Sequence, residues 1–468
     1  MIFVALVIGA VVSVLGFGGV PLWAFAPAQV LIVLAAVLEF WKRGFPRVGL
    51  PTRALLGLLL ALPIVQLLSL PGALIAGVSP ALDQLRSAFV PILGADAFAS
   101  TLSISPYDTE RAFLRLACYV LVFLLGFRTA RTRRTGELLL QTLIGIGLFE
   151  AAYGLIQYLA DWQYIFTYKK TAYLSEATGT YVNRNHFAGL LEMVLPFVAA
   201  QILFSTSQPG YNLRSLIVSP RASRLLLKLV ILMTLGTALV FSRSRMGLLA
   251  GTVGVLVVVA IAFLQTHWRS LLPVFLMIFS IPAAYSVWVG LDPVLERFED
   301  LDRPETLEAS RLGVWRDSVA IIRDYPLAGT GLGTYRWANR RYQSSRFHLV
   351  SDHAHNDYLE FAAEIGIPAA LLLFLGLWVL EIRVAMRALS LRSVRERILA
   401  AGCAGAMAAI LMHGITDFNL QIPANAFIFS WIAGTAAFLV RAHSGTPAPE
   451  RLVDAVEAAN DAANDMAE

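Results

Sequence analysis

Charge is scarce in this chain. Of 468 residues only 15% are Asp, Glu, Lys or Arg, against 57% hydrophobic, where a soluble domain carries about 25% charged residues. Long period-two alternation is absent as well, so transmembrane strands are not indicated, and a helical bundle is the economical way to satisfy backbone groups in lipid. Cysteine is nearly absent: Cys118 and Cys403 both lie inside apolar segments, so no structural disulfide is expected and the redox compartment is left open. The N-terminal stretch Ile2 to Leu15 lacks a basic leader and runs into a second apolar block, which reads as a retained first span and not a cleaved signal. Gly329-Thr330-Gly331-Leu332-Gly333 lacks the Lys-Ser/Thr of a phosphate-binding loop and is read as a turn. No internal repeat stands out.

What the chain has is apolar blocks of about 17 to 25 residues, the length that crosses a hydrocarbon core. Twelve spans are predicted, at about 2–18, 21–41, 54–76, 112–129, 137–160, 186–205, 225–241, 246–265, 271–290, 361–381, 398–416 and 423–441. The fold class is therefore an all-α integral membrane protein. Residues 1–290 would hold spans one to nine, 291–360 a large periplasmic loop carrying short helices, 361–441 spans ten to twelve, and 442–468 a flexible cytoplasmic tail. The net charge of +5 does not indicate nucleic acid, because most basic residues sit in short loops. Lys42/Arg43/Arg47, Arg131/Arg133/Arg134, Arg214/Arg221/Arg224 and Arg383/Arg387/Arg392/Arg395/Arg397 fall on one side, which should be cytoplasmic together with both termini. The segments 77–111, 161–185 and 291–360 then face outward. In the last of these, Leu312, Trp315, Val319 and Ile322 recur at helical spacing before Asp324-Tyr325-Pro326, predicting an amphipathic helix over the bundle.

Candidate chemistry gathers on that outer side. Ser242-Arg243-Ser244-Arg245-Met246-Gly247 puts two arginines where the positive-inside tendency disfavours them. A guanidinium forks onto phosphate oxygens, so Arg245 and Arg243 are candidates for a diphosphate, with snorkelling to headgroups as the plainer reading. His353, His355, Asn356 and Asp357 close the large loop, where an imidazole with nearby carboxylates can act as a base. A divalent metal on Asp352, His353, His355 and Asp357 is a competing use, but no matched second cluster completes it. Asn183, Arg184, Asn185 and His186 are candidate sugar or phosphate contacts, with helix capping as the alternative for the asparagines. Arg311 could complete a cationic pocket. His413, Asp417-Phe418-Asn419, Glu150 and Glu192 put polar groups at or near membrane depth, where they are functional suspects against a background of interhelical hydrogen bonding.

Three ordered motifs resemble the O-antigen ligase and polymerase superfamily: Asn183-Arg184-Asn185-His186-Phe187-Ala188, Ser244-Arg245-Met246-Gly247 and His355-Asn356-Asp357-Tyr358-Leu359. Arg311-Leu312-Gly313-Val314-Trp315 and Pro326-Leu327-Ala328-Gly329-Thr330-Gly331 are similar to its large-loop pattern. The resemblance implies a bacterial inner-membrane glycosyltransferase. It would move a glycan from an undecaprenyl diphosphate carrier to an acceptor hydroxyl on lipid A core or on a second carrier-linked glycan, without cofactor, metal or nucleotide sugar. The family arginines map onto Arg245 and Arg311 and its essential histidine onto His355, with the tandem Ser-Arg pairs leaving Arg243 as an alternative register. Ligase and polymerase are not separated by these motifs, and a lipid or polysaccharide transporter is the competing class.

Overall fold

A computed structural model describes residues 1–94, 100–206, 220–265, 311–343 and 351–441. The helices are α1 Ile2–Leu15, α2 Leu22–Arg43, α3 Leu50–Leu67, α4 Gly72–Val78, α5 Pro80–Leu93, α6 Pro106–Thr129, α7 Arg133–Leu159 and α8 Arg184–Thr206. They continue as α9 Pro220–Phe241, α10 Arg245–Gln265, α11 Arg311–Asp324, α12 Tyr335–Tyr342, α13 Asp357–Ile365, α14 Ile367–Ser390, α15 Val394–His413 and α16 Pro423–Arg441. The strands among the described residues are one two-residue pair, Tyr164–Ile165 against Tyr168–Lys169.

Nine of the described helices, α2, α3, α6, α7, α8, α9, α10, α14 and α16, are long and apolar enough to cross a membrane. Each corresponds to an expected span. The first expected span is the 14-residue α1, and the eleventh is α15, which opens on Arg395, Glu396 and Arg397. The expected ninth span, 271–290, lies outside the described residues, as do the tail 442–468 and residues 291–310 and 344–350 of the large loop.

Two expected spans have bounds other than those predicted. The third, expected at 54–76, ends at Leu67, because Pro71 restarts the chain as α4. The buried Gln66 just inside that break donates to Ala328 O (2.7 Å) and Glu364 O (2.9 Å) and accepts from Leu332 N (3.0 Å). The tenth, expected at 361–381, starts only at Ile367. Gly366 adopts φ +79 there, and a Cβ on it would lie 2.2 Å from Leu327 O, so the backbone turns and separates α13 from α14.

α8 and α15 form the buried centre. Helices approach this closely in lipid when small residues line the contact, since packing and not water expulsion drives it. Gly405 on α15 and Gly254 on α10 face each other, with a Cβ on either meeting the other's carbonyl at about 2.5 Å, and a Cβ on Gly402 would strike Phe197 of α8. One end of the bundle is basic: Arg128 donates to Gly44 O (2.6 Å), and Arg395 pairs with Glu137 (2.7 Å). The opposite end carries the connections 161–183, 242–244 and 414–422 together with α11 to α13.

α11 forms and stops at Asp324 as predicted, but its buried stripe is rotated. Val314, Asp317, Ser318 and Ile321 face inward while Leu312 and Val319 are exposed. The inward polar groups have partners: the Ser318 hydroxyl bonds the Tyr335 hydroxyl (2.7 Å) and Val314 O (2.7 Å). A satisfied hydroxyl is cheap to bury, so the apolar pattern alone misassigned the face.

Candidate active site

The centre of the candidate site is Asp417, a residue that the sequence marked only as a functional suspect near membrane depth, with no specific role. α15 ends at His413, whose carbonyl accepts from Thr416 N (2.9 Å) and Asp417 N (3.1 Å), folding the chain into a tight connection. That turn delivers Asp417, fully buried, to the end of the bundle. Its Oδ1 accepts from Phe418 N (2.9 Å), its Oδ2 lies 3.3 Å from Arg311 Nη2, and its Oδ1 lies 3.6 Å from His355 Nδ1. Burial by itself would raise the Asp417 pKa, but the imidazoles of His355, His186 and His413 and the Arg311 guanidinium hold it well below the usual carboxylate range. Asp417 is thus a fixed anion joining a cation from α11 to an imidazole from the loop before α13.

Phe418 organises the histidines. The His353 ring stacks on it at 4.0 Å and 8°, while His355 (4.9 Å, 73°) and His186 (4.8 Å, 77°) meet it edge-on. His353 is held by Glu360, whose Oε1 sits 2.7 Å from Nδ1 and whose Oε2 accepts from Ala354 N (2.8 Å). Burial opposes the charged ring, yet the adjacent Glu360 carboxylate prevails and raises the His353 pKa. His355 has φ +49, a conformation costly for a residue with a Cβ and found at sites the surroundings over-determine. Trp315 Nε1 donates to its carbonyl (3.3 Å), and Asn356, directly after it, caps α13 by accepting from Leu359 N (3.0 Å). The Nδ1 of His355 is buried without a hydrogen-bond partner in the structure; with that nitrogen turned to Asp417, Nε2 lies on the far side of the ring.

Asp357 is a brace. Its backbone N–H donates to Gly414 O (2.7 Å) and Asp417 O (3.1 Å), and its Oδ2 accepts from Leu420 N (3.2 Å). Burial raises its pKa well above the usual value.

The Asn183 to His186 segment divides between scaffold and site. Asn183 Oδ1 accepts from Asn185 N (2.8 Å), the capping use that the sequence left open. Arg184 pairs with Glu176 (2.6 Å) and lies 5.3 Å from the Tyr173 ring centroid. His186 joins the Phe418 cluster, and its carbonyl accepts from Asn425 Nδ2 (2.9 Å).

Arg243 sits on the turn between α9 and α10, and Arg245 is the first residue of α10. Arg243 has φ +53, and Ser244 caps α10 by accepting from Gly247 N (3.2 Å). Two contacts tie this turn to the cluster's end of the bundle: Ala177 N donates to Phe241 O (2.9 Å), and a Cβ on Gly247 would stand 2.6 Å from Ala188, two residues past His186. Both arginines are half-buried. All six non-glycine residues with positive φ among the described residues, Phe17, Asp161, Phe166, Tyr173, Arg243 and His355, lie at this end.

Deeper in the bundle, His413 Nδ1 and Glu192 Oε2 are 2.7 Å apart and fully buried. Glu150, also buried, accepts from Thr180 N (2.8 Å) and Thr180 Oγ1 (2.7 Å) and anchors the 161–183 connection. Among the described residues, no group of three or more His, Cys, Asp or Glu side chains is arranged to hold a metal ion, and both cysteines are free.

Residues 229–374 match the family model described as O-antigen ligase, which bears out the resemblance carried by the motifs. The matched stretch contains Arg243, Arg245, Arg311, His353, His355, Asn356 and Asp357 but ends before Asp417. No curated protein matches the chain.

Proposed function

We propose that the chain, whose residues 229–374 match the O-antigen ligase family model, belongs to the O-antigen ligase and polymerase superfamily and transfers a glycan from an undecaprenyl diphosphate carrier to an acceptor hydroxyl on the periplasmic face of a bacterial inner membrane. The observation that carries this reading is the buried Asp417 shared by Arg311 and His355. An Nδ1 proton directed at Asp417 leaves the Nε2 lone pair of His355 to accept the proton of the attacking hydroxyl. The hydroxyl oxygen bonds the anomeric carbon as the bond from that carbon to the diphosphate oxygen breaks. The departing electron pair stays on the carrier diphosphate, where Arg311 and Arg245 or Arg243 stabilise it. Arg184, closed on Glu176, and Asn183, in its cap, hold the connection before α8. Asn185, His186, His353 and Asn356 line or orient the site, and Asp357 braces it.

Sidedness is supported by the basic residues collected at the opposite end of the bundle. Lipid A core as the acceptor makes the protein a ligase, whereas a second carrier-linked glycan makes it a polymerase.

The test is purified protein in liposomes with a defined carrier-linked glycan, followed by NMR of the new linkage. A single displacement inverts the anomeric centre, so net retention overturns the mechanism. Movement of intact donor across the bilayer without any transfer would support transport instead. Long carrier-linked chains, as opposed to glycan on a different lipid, would identify a polymerase.

A further inference from the structure

The helix α12 has no part in the chemistry above, yet it concentrates charge where a membrane protein's outer surface is ordinarily poor in it. Tyr335, Ala338 and Asn339 are buried. The other face shows Arg336, Trp337, Arg340 and Arg341, all exposed, at positions i, i+1, i+4 and i+5 and so on one side of the helix. The guanidinium carbons of Arg336 and Arg340 lie 4.8 and 4.5 Å from the Trp337 ring centroid, and that of Arg341 lies 5.8 Å from the Tyr342 ring centroid. A guanidinium stacked on an aromatic face keeps its N–H edges pointing away from the ring, the geometry that forks onto phosphate.

Neighbouring groups leave the edges of Arg336 and Arg340 largely uncommitted, while Arg341 is hydrogen-bonded to the Tyr325 hydroxyl. Asp108 accepts from Trp337 Nε1 (2.6 Å) and Ser105 Oγ (2.6 Å), and Asp324 accepts from the Tyr342 hydroxyl. Asp352 reaches Arg336 only at 4.0 Å. Among the described residues, no carboxylate lies within ion-pair distance of Arg340 or Arg341.

The patch is separate from the Arg311 end of α11 but adjacent to the histidine loop. Tyr335 meets α11 at Ser318 and Tyr342 meets it at Asp324. At 1.5 Å per residue those positions are roughly 10 and 20 Å along α11 from Arg311. On the other side, Asn339 Nδ2 donates to Ser351 O (3.1 Å) and Arg336 faces Asp352, both within four residues of His355.

From this we infer that the exposed face of α12 is a docking surface for the phosphate groups of the lipid-anchored glycan acceptor, presenting its hydroxyl to His355. The inference rests on the reading under Proposed function. It commits to the acceptor over bulk phospholipid because the patch is joined to the loop that carries the base.

The experiment is calorimetric binding to full-length protein in zwitterionic nanodiscs, using a soluble phosphorylated oligosaccharide and the same sugar after phosphatase treatment. The phosphorylated probe should bind at least about tenfold more tightly, and R336Q/R340Q should lose about tenfold, the size of one lost charge-assisted contact. R336K/R340K, which keeps charge without the fork, should recover part of the loss and so exclude simple misfolding. In transfer assays R336Q/R340Q should raise the acceptor KM with kcat retained. Equal binding of the two sugars, or binding indifferent to R336Q/R340Q, overturns the inference. Loss of probe binding when the nanodiscs contain anionic phospholipid would assign the patch to headgroups and overturn it too. Because binding is read without turnover, H355A separates the two claims: full transfer by H355A refutes the proposed chemistry, whereas phosphate-selective binding by α12 stands or falls independently.

Discussion

Replacing Asp417 with Asn tests the arrangement most directly, because it removes one charge and almost no volume. Breaking a buried ion pair costs about 3–5 kcal/mol when the remaining charge is stranded away from water. Here the partners are not stranded: the Arg311 side chain is 39% exposed and that of His355 is 34% exposed. Solvent screening therefore reduces the stability cost to about 1 kcal/mol, and the Asn carbonyl can still accept from Phe418 N. The loss should fall on chemistry. Without an anion at Nδ1 the imidazole is neither oriented nor supported as it takes the proton, and general-base contributions of this kind are about 10²- to 10⁴-fold. D417N should fold, with a kcat for carrier-linked glycan transfer lower by about 100-fold, read in proteoliposomes from initial rates. The sign of the pH effect follows from the depressed Asp417 pKa. The stabilisation is present above the unfolded value of about 3.9 and is lost only as pH falls through the folded value. Wild type and D417N should therefore converge in stability only in strong acid. A D417N enzyme within about threefold of wild-type kcat, under 1 kcal/mol on the barrier, would show that the shared carboxylate does not organise the reaction.

R243A and R245A, made separately, should divide the tandem arginines: the one at the diphosphate loses about 100-fold in kcat, as for one lost donor to a developing anion. Full activity in both would remove the turn from the mechanism. The His353 pKa is raised by Glu360, so its stabilisation is complete below the unfolded value of about 6.5 and disappears as pH rises through the folded value. The melting temperature should decline on that alkaline flank in wild type and be flatter there in E360Q; parallel curves would count against the pair. G329A should cost about 3 kcal/mol or more, since φ is +67 and the added Cβ would lie 2.3 Å from the Glu364 carbonyl carbon. An unchanged melting midpoint would mean that this turn is not tightly constrained.

Much of this architecture was legible in the linear chain, because lipid imposes a length and a polarity on each crossing that composition records directly. The start of α10 after Ser244 and the stop of α11 at Asp324 were equally local, set by a capping hydroxyl and by Pro326. The motif residues His355 and Arg311 could be named, since cations and imidazoles on the side expected to face outward have no topological reason to be there. The rotated face of α11 could not be read: apolar residues need not turn inward beside a membrane, and Ser318 becomes buriable only when Tyr335 meets it. Asp417 could be marked only as a functional suspect, without a specific role, for the same reason. It lies 106 residues from Arg311 and 62 from His355, and no periodicity links the three. Only the packing of α11, the pre-α13 loop and the end of α15 brings one buried carboxylate between them, because its anion is tolerable in that interior solely where two partners arrive together.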